Sequence, residues 1–327
     1  MHNRLFKMKR KHNKKRILIV RPHGKNGGCI VLSQLCALLR EKGYDARLFP
    51  IRSYPQKGQP MLAWWKEWIV YVLNIFLYRL KKVFFKNPYT PYMNGDWDFF
   101  YDPVQGTKMQ FCPFIRRTNT IVIYPECVYG NFLKAKHVTR WLLSDRYEEN
   151  RQKFGKDDLV ITYRQIFNDY NVNPTCKIVT IGYLNRTLYC QTNFEPRTGN
   201  CYIVRKGKER GDLPEVFDGP VIDGRTEKEI VEIFNSSKYC FSYDTQTMYS
   251  YIASVCGCIS IVVPEEGKNR EDYLCSGEHG YGVAYGDSEE ELLYAENTRE
   301  KLIESFDYTE RNEYNIQKFL EYIKIFE

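Results

Sequence analysis

The chain has 327 residues, which is enough for two ordinary domains, each with a core of its own. Hydrophobic residues make up 43% and charged residues 27%, and this composition excludes a wholly disordered chain. The mean hydropathy is −0.51, and no stretch of sequence approaches the roughly 18 consecutive apolar residues that a membrane-spanning helix needs.

The net charge of +8 is distributed unevenly. Residues 1–150 contain 27 Lys and Arg against 10 Asp and Glu, whereas residues 151–327 contain 21 against 30. A basic half of this kind is typical of proteins that bind nucleic acid, an anionic membrane surface or phosphorylated ligands. Eight of the first sixteen residues are Lys or Arg, so we predict a solvated basic tail at residues 1–16.

The eleven cysteines show no C-x-x-C pair, and most lie inside apolar runs, as Cys256 and Cys258 do. This usage favours small buried hydrophobes in a reducing compartment over a disulfide framework or a zinc site. The first apolar stretch, residues 17–20, is too short for a signal peptide. We therefore expect a cytoplasmic protein.

The first structured part follows a strand, glycine-rich loop, helix and strand pattern. A buried strand is predicted at residues 16–21, a turn-rich loop at 22–28, a helix at 29–42 and a second strand at 45–51. This order is typical of the opening of a Rossmann-like parallel sheet.

Residues 61–86 form an apolar, Trp-rich helical segment that ends in Arg and Lys residues. Such a segment suits the headgroup region of an anionic bilayer, and a buried helix of the first domain is an equal alternative.

The remaining pattern predicts more of the first sheet and then a second α/β domain. In the first domain we expect strands at 98–102, 120–124, 159–163 and 177–181, and a helix at 135–143. After a linker at 193–200 we expect strands at 201–205, 239–242 and 259–263, and helices at 227–236, 245–255, 288–298 and 313–326. The predicted division is 1–16, 17–195, 196–310 and a terminal helix, 311–327, that could pack back on the first domain.

Two groups of candidate residues follow strands of the first domain. His23, Gly27 and Gly28 follow the first strand, where glycines and a helix start can bind an anion. A tight turn without a ligand explains the glycines equally well, and a lone histidine such as His23 is more often structural. Glu126, just after strand 120–124, is the candidate general base, with Asn131 in the same loop. Capping or an ion pair is the structural alternative for Glu126.

Two further groups belong to the second domain. Arg205 and Lys206 end a strand beside Gly207 and could clamp a diphosphate, or else form a solvated hairpin tip. The turn between the next strand and helix contains a capping candidate and hydroxyl groups that could face a phosphate, and Glu265 and Glu266 follow the strand after it. The turn residues are Tyr243, Asp244, Thr245 and Thr247.

The segments at 243–245, 253–260 and 263–264 resemble the donor-binding half of GT-B-fold bacterial glycosyltransferases, those of surface-polysaccharide and lipopolysaccharide biosynthesis above all. The segments at 27–28 and 124–143 look like the N-terminal half of the same family. The resemblance implies an α/β fold of two Rossmann-like domains facing across a cleft, with a nucleotide-diphosphate sugar as donor. It also implies an acceptor, either a cell-envelope glycan or a lipid-linked acceptor, on the N-terminal domain.

The chain departs from this family in one respect. The widespread retaining members have two glutamates seven residues apart, whereas here Asp244 stands at the first position and residues 245–264 contain no acidic residue. The stereochemistry and the contacts to the donor ribose therefore stay open. If the reaction inverts, Glu126 is the preferred base and His23 the second. The chain has no Asp-x-Asp motif, so we expect metal-independent transfer without a cofactor.

Three alternatives remain open at this point. One is another transferase on the same scaffold, such as an enzyme resembling polysaccharide pyruvyltransferases. The second is a non-catalytic nucleic-acid-binding protein that uses the basic half, which we do not expect because the acidic half has the better-formed ligand turns. The third is an inactive transferase that acts as a scaffold. If the protein is a glycosyltransferase of this kind, we also expect it to associate peripherally with the inner face of an anionic membrane.

Overall fold

The computed structural model describes residues 15–24, 27–84, 104–144, 154–274 and 278–326. The described chain divides into two compact units. The first unit comprises the described residues up to Tyr183 and those from Thr309 onward, and the second unit is Leu184–Tyr308. The predicted boundary between residues 195 and 196 falls inside the second unit, and the terminal helix belongs to the first. Most of the predicted basic tail and all of the predicted strand at 98–102 lie outside the described residues.

The described elements alternate between strands and helices. The strands are β1 (Arg16–Pro22), β2 (Ala46–Ile51), β3 (Thr120–Pro125), β4 (His137–Leu142), β5 (Leu159–Thr162), β6 (Thr198–Ile203), β7 (Ser237–Ser242), β8 (Ile259–Val262) and β9 (Val283–Tyr285). The helices are α1 (Gly27–Glu41), α2 (Met61–Phe84), α3 (Glu227–Ser236), α4 (Met248–Val255), α5 (Arg270–Tyr273), α6 (Glu289–Ser305) and α7 (Thr309–Ile323).

The first unit is built on a parallel sheet with the strand order β2-β1-β3-β4-β5. Successive side chains of β1 point to opposite faces, so Ile17 and Ile19 enter a core with α1 and α7, while Leu18 and Val20 enter a core with α2. The sheet is therefore covered on both faces, which explains the continuous apolar sequence of its strands.

The second unit has a parallel sheet with the order β6-β7-β8-β9. Cys201 and Ile203 of β6 pack with residues of α3 and α4 in one core. On the other face, Ile261 of β8 packs with Ala295 of α6. Both units thus have the α/β architecture with parallel sheets that the sequence predicts.

Residues 135–143 are predicted as a helix, and this prediction is wrong, because His137–Leu142 forms β4, which lies between β3 and β5 in the first sheet. A strand buried on both faces loses its alternation of apolar and polar residues, and its sequence then looks like a buried helix. Arg140 and Trp141, which belong to this segment, are both completely buried. The predicted strand at 177–181 is reduced to a single bridge between Ile178 and Thr162.

Arg140 is a buried cation that holds three segments together. Its Nε donates to Asp158 Oδ2 at 2.8 Å, and its terminal nitrogens donate to the carbonyl oxygens of Val128 (3.2 Å) and Gly130 (2.9 Å). The side chain of Arg140 is 0% exposed and that of Asp158 is 10% exposed. A buried ion pair of this kind leaves a costly unpaired charge when one partner is removed.

We expect Arg140→Met to lower the free energy of unfolding of the first unit by about 3–5 kcal/mol, because Asp158 keeps its charge without a partner. Urea unfolding followed by near-ultraviolet circular dichroism measures this. Lys42→Ala is the matched control, since Lys42 pairs with Glu313 at the surface and should change stability little. Recovery of part of the loss in Arg140→Met/Asp158→Asn is expected, and an unchanged single variant would contradict the interpretation.

Candidate functional site

The second unit has a cavity of about 350 Å³ at the carboxyl end of β6. Residues from the end of β6, from residues 222–225 and from α3 and α4 surround it: Arg205, Lys206, Ile222, Asp223, Gly224, Arg225, Ile230 and Tyr249. Its size lies in the range of small-molecule sites, and three of its eight lining residues are cations. The Arg205-Lys206 pair singled out from the sequence is part of it.

The position of this cavity follows from the topology of the sheet. Val221 forms a parallel bridge with Tyr202 of β6, on the edge of β6 that β7 does not use. After β6 the chain therefore returns on one side of that strand, and α3 then leads it to β7 on the other side. A reversal of this kind leaves a crevice beyond the carboxyl ends of the strands, and ligands of open α/β sheets bind in such crevices.

Arg205 is held in place from three directions. Its backbone N–H donates to Asp223 Oδ1 at 2.7 Å, its Nε lies 3.7 Å from Asp244 Oδ2, and its guanidinium lies 4.9 Å from the centre of the Tyr249 ring. Its φ of +40° is in the left-handed region, which costs energy for a residue with a side chain. The surroundings thus maintain a strained arginine at the mouth of a cavity.

Glu227 in turn fixes the aromatic platform under Arg205. Its Oε1 accepts a hydrogen bond from the Tyr249 hydroxyl at 2.9 Å, and its Oε2 accepts one from the Tyr189 hydroxyl. Burial and the Glu227 carboxylate raise the pKa of Tyr249, so this phenol stays protonated and remains a donor. The position of Arg205 therefore depends on a side chain at the start of α3 that does not itself line the cavity.

A close backbone contact joins the loops that follow β6 and β7. A Cβ on Gly207 would lie 2.3 Å from the carbonyl oxygen of Tyr243, so only glycine fits there. Arg210 binds these loops to the one after β8, because its Nη1 donates to Val263 O at 2.8 Å and its Nη2 to Pro264 O at 3.1 Å. The Arg210 guanidinium also lies 5.4 Å from the centre of the Tyr243 ring. Tyr243 is thus held by structural contacts.

The turn between β7 and α4 differs from the prediction. The N-cap of α4 is Thr247, whose hydroxyl accepts from the backbone N–H of Tyr249 at 3.3 Å, and the helix begins at Met248 and not at residue 245. Asp244 is buried and accepts from the backbone N–H of Gln246 at 3.3 Å. The expected cap is therefore a partner of Arg205, while Thr245 lies half-buried in the turn.

Glu265 and Glu266 follow β8 and are both exposed. Glu265 pairs with Lys268, and its backbone N–H donates to the Tyr273 hydroxyl at 2.7 Å. Neither glutamate lines the 350 Å³ cavity, so the structure separates them from the Arg205 group. Lys206 lines the cavity and is exposed.

In the first unit, Glu126 lies just beyond the carboxyl end of β3 and is only 7% exposed. Its Oε2 accepts from the backbone N–H of Leu143 at 2.9 Å, and burial raises its pKa to about 7. Burial, followed by the neighbouring Glu126 carboxylate, raises the pKa of Cys127 to about 12. A carboxyl group with a pKa near neutrality can accept and return a proton, as general base catalysis requires.

His23 lies beyond the end of β1, the strand next to β3. The register that sets Ile19 beside Ile123 continues toward Pro22 and Glu126, so His23 and Glu126 belong to the same edge of the sheet. His23 is half-buried, and its backbone N–H donates to Ile51 O at 2.8 Å.

Three other predicted residues of this unit have mainly structural surroundings. Asn131 donates to Ala135 O at 2.8 Å and accepts from the Tyr124 hydroxyl at 3.0 Å, so it holds its own loop together. Gly27 and Gly28 are the first residues of α1 and not part of the preceding loop. A Cβ on Gly27 would meet no atom within 4 Å.

The sequence reasoning did not single out Asp223, Arg225, Glu227 or Tyr249. One signal was available, since the Asp223-Gly224 turn follows a short apolar run and precedes the capping box of Thr226 and Glu229. Among the described residues, no group of three or more His, Cys, Asp or Glu side chains is arranged to hold a metal ion. Transfer without a metal stays a prediction.

Comparisons with solved structures give distant likenesses, of which one is described here. No family model and no curated protein matches the sequence. A solved structure, an alpha-glucosyltransferase in complex with UDP and a 13-mer DNA containing a HMU base, is similar with 11% identity and a TM-score of 0.43 over 95% of each chain. At this distance, the fold and the site have to be argued from the strands and contacts of the chain itself.

The raised pKa of Glu126 predicts a dependence of stability on pH. Below the unfolded value of 4.5 the group is neutral in both states, and above about 7 the folded state must bury its charge. Ionisation of Glu126 therefore costs on the order of 3 kcal/mol as pH rises through this window. In Glu126→Gln this cost disappears, so the variant should gain stability relative to wild type between pH 4.5 and 8.

Urea unfolding at several pH values, with a carboxyl-carbon NMR titration of the glutamates, checks this prediction. Glu265→Gln is the control, because Glu265 is exposed and should leave the pH profile unchanged. Parallel pH profiles of wild type and Glu126→Gln would show that the carboxyl group is solvated.

Proposed function

We propose that the protein is a glycosyltransferase that moves a sugar from a nucleotide-diphosphate donor to a cell-envelope glycan or a lipid-linked acceptor. The observation that carries this proposal is the cavity at the carboxyl end of β6, with Arg205, Lys206 and Arg225 around it. The resemblance of residues 243–264 to donor-binding segments of GT-B enzymes supports the same assignment.

The donor half of the reaction needs positive charge more than it needs an acid or a base. The bond between the anomeric carbon and the β-phosphate oxygen breaks, and its electron pair leaves with the nucleoside diphosphate. In the proposal, Arg205 donates bidentate hydrogen bonds to the diphosphate, Lys206 adds a point charge and Arg225 adds a second guanidinium. Because Arg205 is held by Asp223, Asp244 and Tyr249 before any ligand binds, little reorganisation is required when charge develops.

The acceptor half of the reaction is proposed to use the first unit. A new bond forms between the acceptor oxygen and the anomeric carbon, and the acceptor proton must leave. Glu126, with its pKa near 7, is the proposed base if the configuration inverts, and His23 is the second candidate.

The proposed location is the cytoplasm, at the inner face of an anionic membrane. None of the helices in the described ranges is long and apolar enough to cross a bilayer. The basic balance of residues 1–150 supports association with anionic lipid.

Arg205→Ala tests the donor site. Loss of its charged hydrogen bonds should raise the Kd for UDP, or for whichever nucleoside diphosphate binds best in a panel, by about 10- to 100-fold. Isothermal titration calorimetry measures this. Arg186→Ala is the matched control, since Arg186 is an exposed arginine of the same unit outside the cavity. Equal affinities in Arg205→Ala and wild type would refute the assignment.

Glu126→Gln tests the base. The amide keeps the shape and the acceptor oxygen for Leu143 but cannot take a proton, so turnover should fall at least about 100-fold with an unchanged Kd for the nucleotide. Release of the nucleoside diphosphate in the presence of acceptor measures turnover. Full activity in this variant would exclude Glu126 as the base, and His23→Gln would then be the next variant to measure.

A further inference from the structure

Helix α2 has two faces of different environment. One face enters the core of the first unit, where Trp64 and Trp68 are buried. Their indole N–H groups donate to Ser53 O at 3.1 Å and Pro50 O at 2.9 Å. The other face, called here the outer face, consists of exposed large apolar residues: Leu62, Ile69, Val70, Leu73, Phe76, Leu77, Leu80, Val83 and Phe84. The buried-helix alternative from the sequence thus accounts for only half of the helix.

The outer face is long and wide. Over 24 residues the helix extends about 36 Å. From Ile69 onward, three positions in every seven are exposed and apolar: residues 69, 70 and 73, and then 76, 77 and 80. This band is broader than the two-in-seven seam of a coiled coil, and an apolar face of this width is one that lipid or further protein covers.

A second cavity, of about 390 Å³, opens beside this face. It lies between α2 and the loop after β2, and Val70 belongs both to its lining and to the outer face. The complete lining is Arg52, Ser53, Trp64, Lys66, Glu67, Trp68, Val70 and Tyr71. Because the indoles of Trp64 and Trp68 are hydrogen-bonded to backbone carbonyls, the side of the cavity that they form has a fixed shape.

The charges around the cavity favour an anion. Arg52 and Lys66 line it against the single carboxylate of Glu67. The sequence of α2 contains four cations, Lys66, Arg79, Lys81 and Lys82, and Glu67 as its one acidic residue. An anionic group attached to an apolar chain complements a cationic cavity that continues into an apolar face. Such a group is the headgroup phosphate of a lipid.

We propose that this cavity and the outer face of α2 together bind a phosphate-bearing lipid of an anionic bilayer. The phosphate lies in the cavity between Arg52 and Lys66, and the acyl chains run along the outer face. Assignment of this lipid as the carrier of the sugar acceptor rests on the proposed function. Lipid binding itself does not depend on it.

Cosedimentation with phosphatidylglycerol vesicles, compared with phosphatidylcholine vesicles, tests this proposal. Wild type should bind the anionic vesicles, and Arg52→Ala and Lys66→Ala should each weaken binding about five-fold. Glu67→Gln should strengthen it. Lys238→Ala, at an exposed lysine of the second unit, is the control for charge. Soluble glycerol phosphate should compete poorly, and full competition would indicate a free phosphate ligand and overturn the proposal.

Leu73→Glu tests the outer face, and Leu293→Glu is its matched control. Both leucines are 56% exposed, on α2 and α6 respectively. Vesicle binding should be lost in Leu73→Glu and kept in Leu293→Glu, with thermal stability and oligomeric state unchanged in both. A fall in Tm of Leu73→Glu would mean that the chain itself covers this face, and a dimer that becomes a monomer would mean that a second copy does. Either result overturns the proposal.

Nucleotide binding separates this proposal from the proposed function. Leu73→Glu should keep the wild-type Kd for UDP, because Leu73 belongs to the other unit. If wild type binds vesicles but no nucleoside diphosphate, the transferase assignment fails and the lipid surface stands. If it binds nucleotide but no vesicles, only the lipid surface fails.

Discussion

Parallel pairing of the strands determines which polar loops lie together in this protein. In a parallel sheet all carboxyl ends meet at one edge, and the polar loops that follow them are brought together although they are far apart in sequence. In the second unit this constraint brings Arg205 after β6 to Asp244 after β7. In the first unit it places Glu126 and His23 on one edge.

Arg205 shows how a strained residue is maintained at such an edge. Its left-handed backbone would relax in an isolated loop, but Asp223 accepts from its N–H and the buried Asp244 attracts its guanidinium. Tyr249, fixed by Glu227, supports it from below. The strain is compensated by neighbouring contacts, as is common where a side chain must be positioned before a ligand arrives.

The two faces of helix α2 have different environments. Its Trp64 and Trp68 stabilise the first unit, and Trp68 stacks on Phe49 with ring centres 5.1 Å apart. Its other face is equally apolar but largely exposed, and of its residues Phe76 has a ring contact with Phe111, at 5.4 Å between ring centres. An exposed apolar surface of this extent is uncommon on a monomer in water and indicates an interaction site.

The strongly periodic parts of the chain could be predicted from sequence. The strand, loop, helix and strand opening, the two α/β halves and helix α3 were all recognisable, because their apolar spacing and capping residues are local signals. The same local reasoning identified Arg205 and Glu126 as residues that follow buried strands. It mistook β4 for a helix, since a strand covered on both faces has no alternation to reveal it.

The partners of those residues were decided only by the tertiary structure. No local sequence signal indicates that Asp244 pairs with Arg205 or that Thr247 is the N-cap of α4. The Arg205–Asp244 pair depends on the pairing of β6 with β7. The burial that raises the pKa of Glu126 is likewise a result of folding, which also brings the backbone N–H of Leu143 to its carboxylate. The sequence by itself determined which residues stand at strand ends. Packing, which acts between distant segments, decided which of them meet.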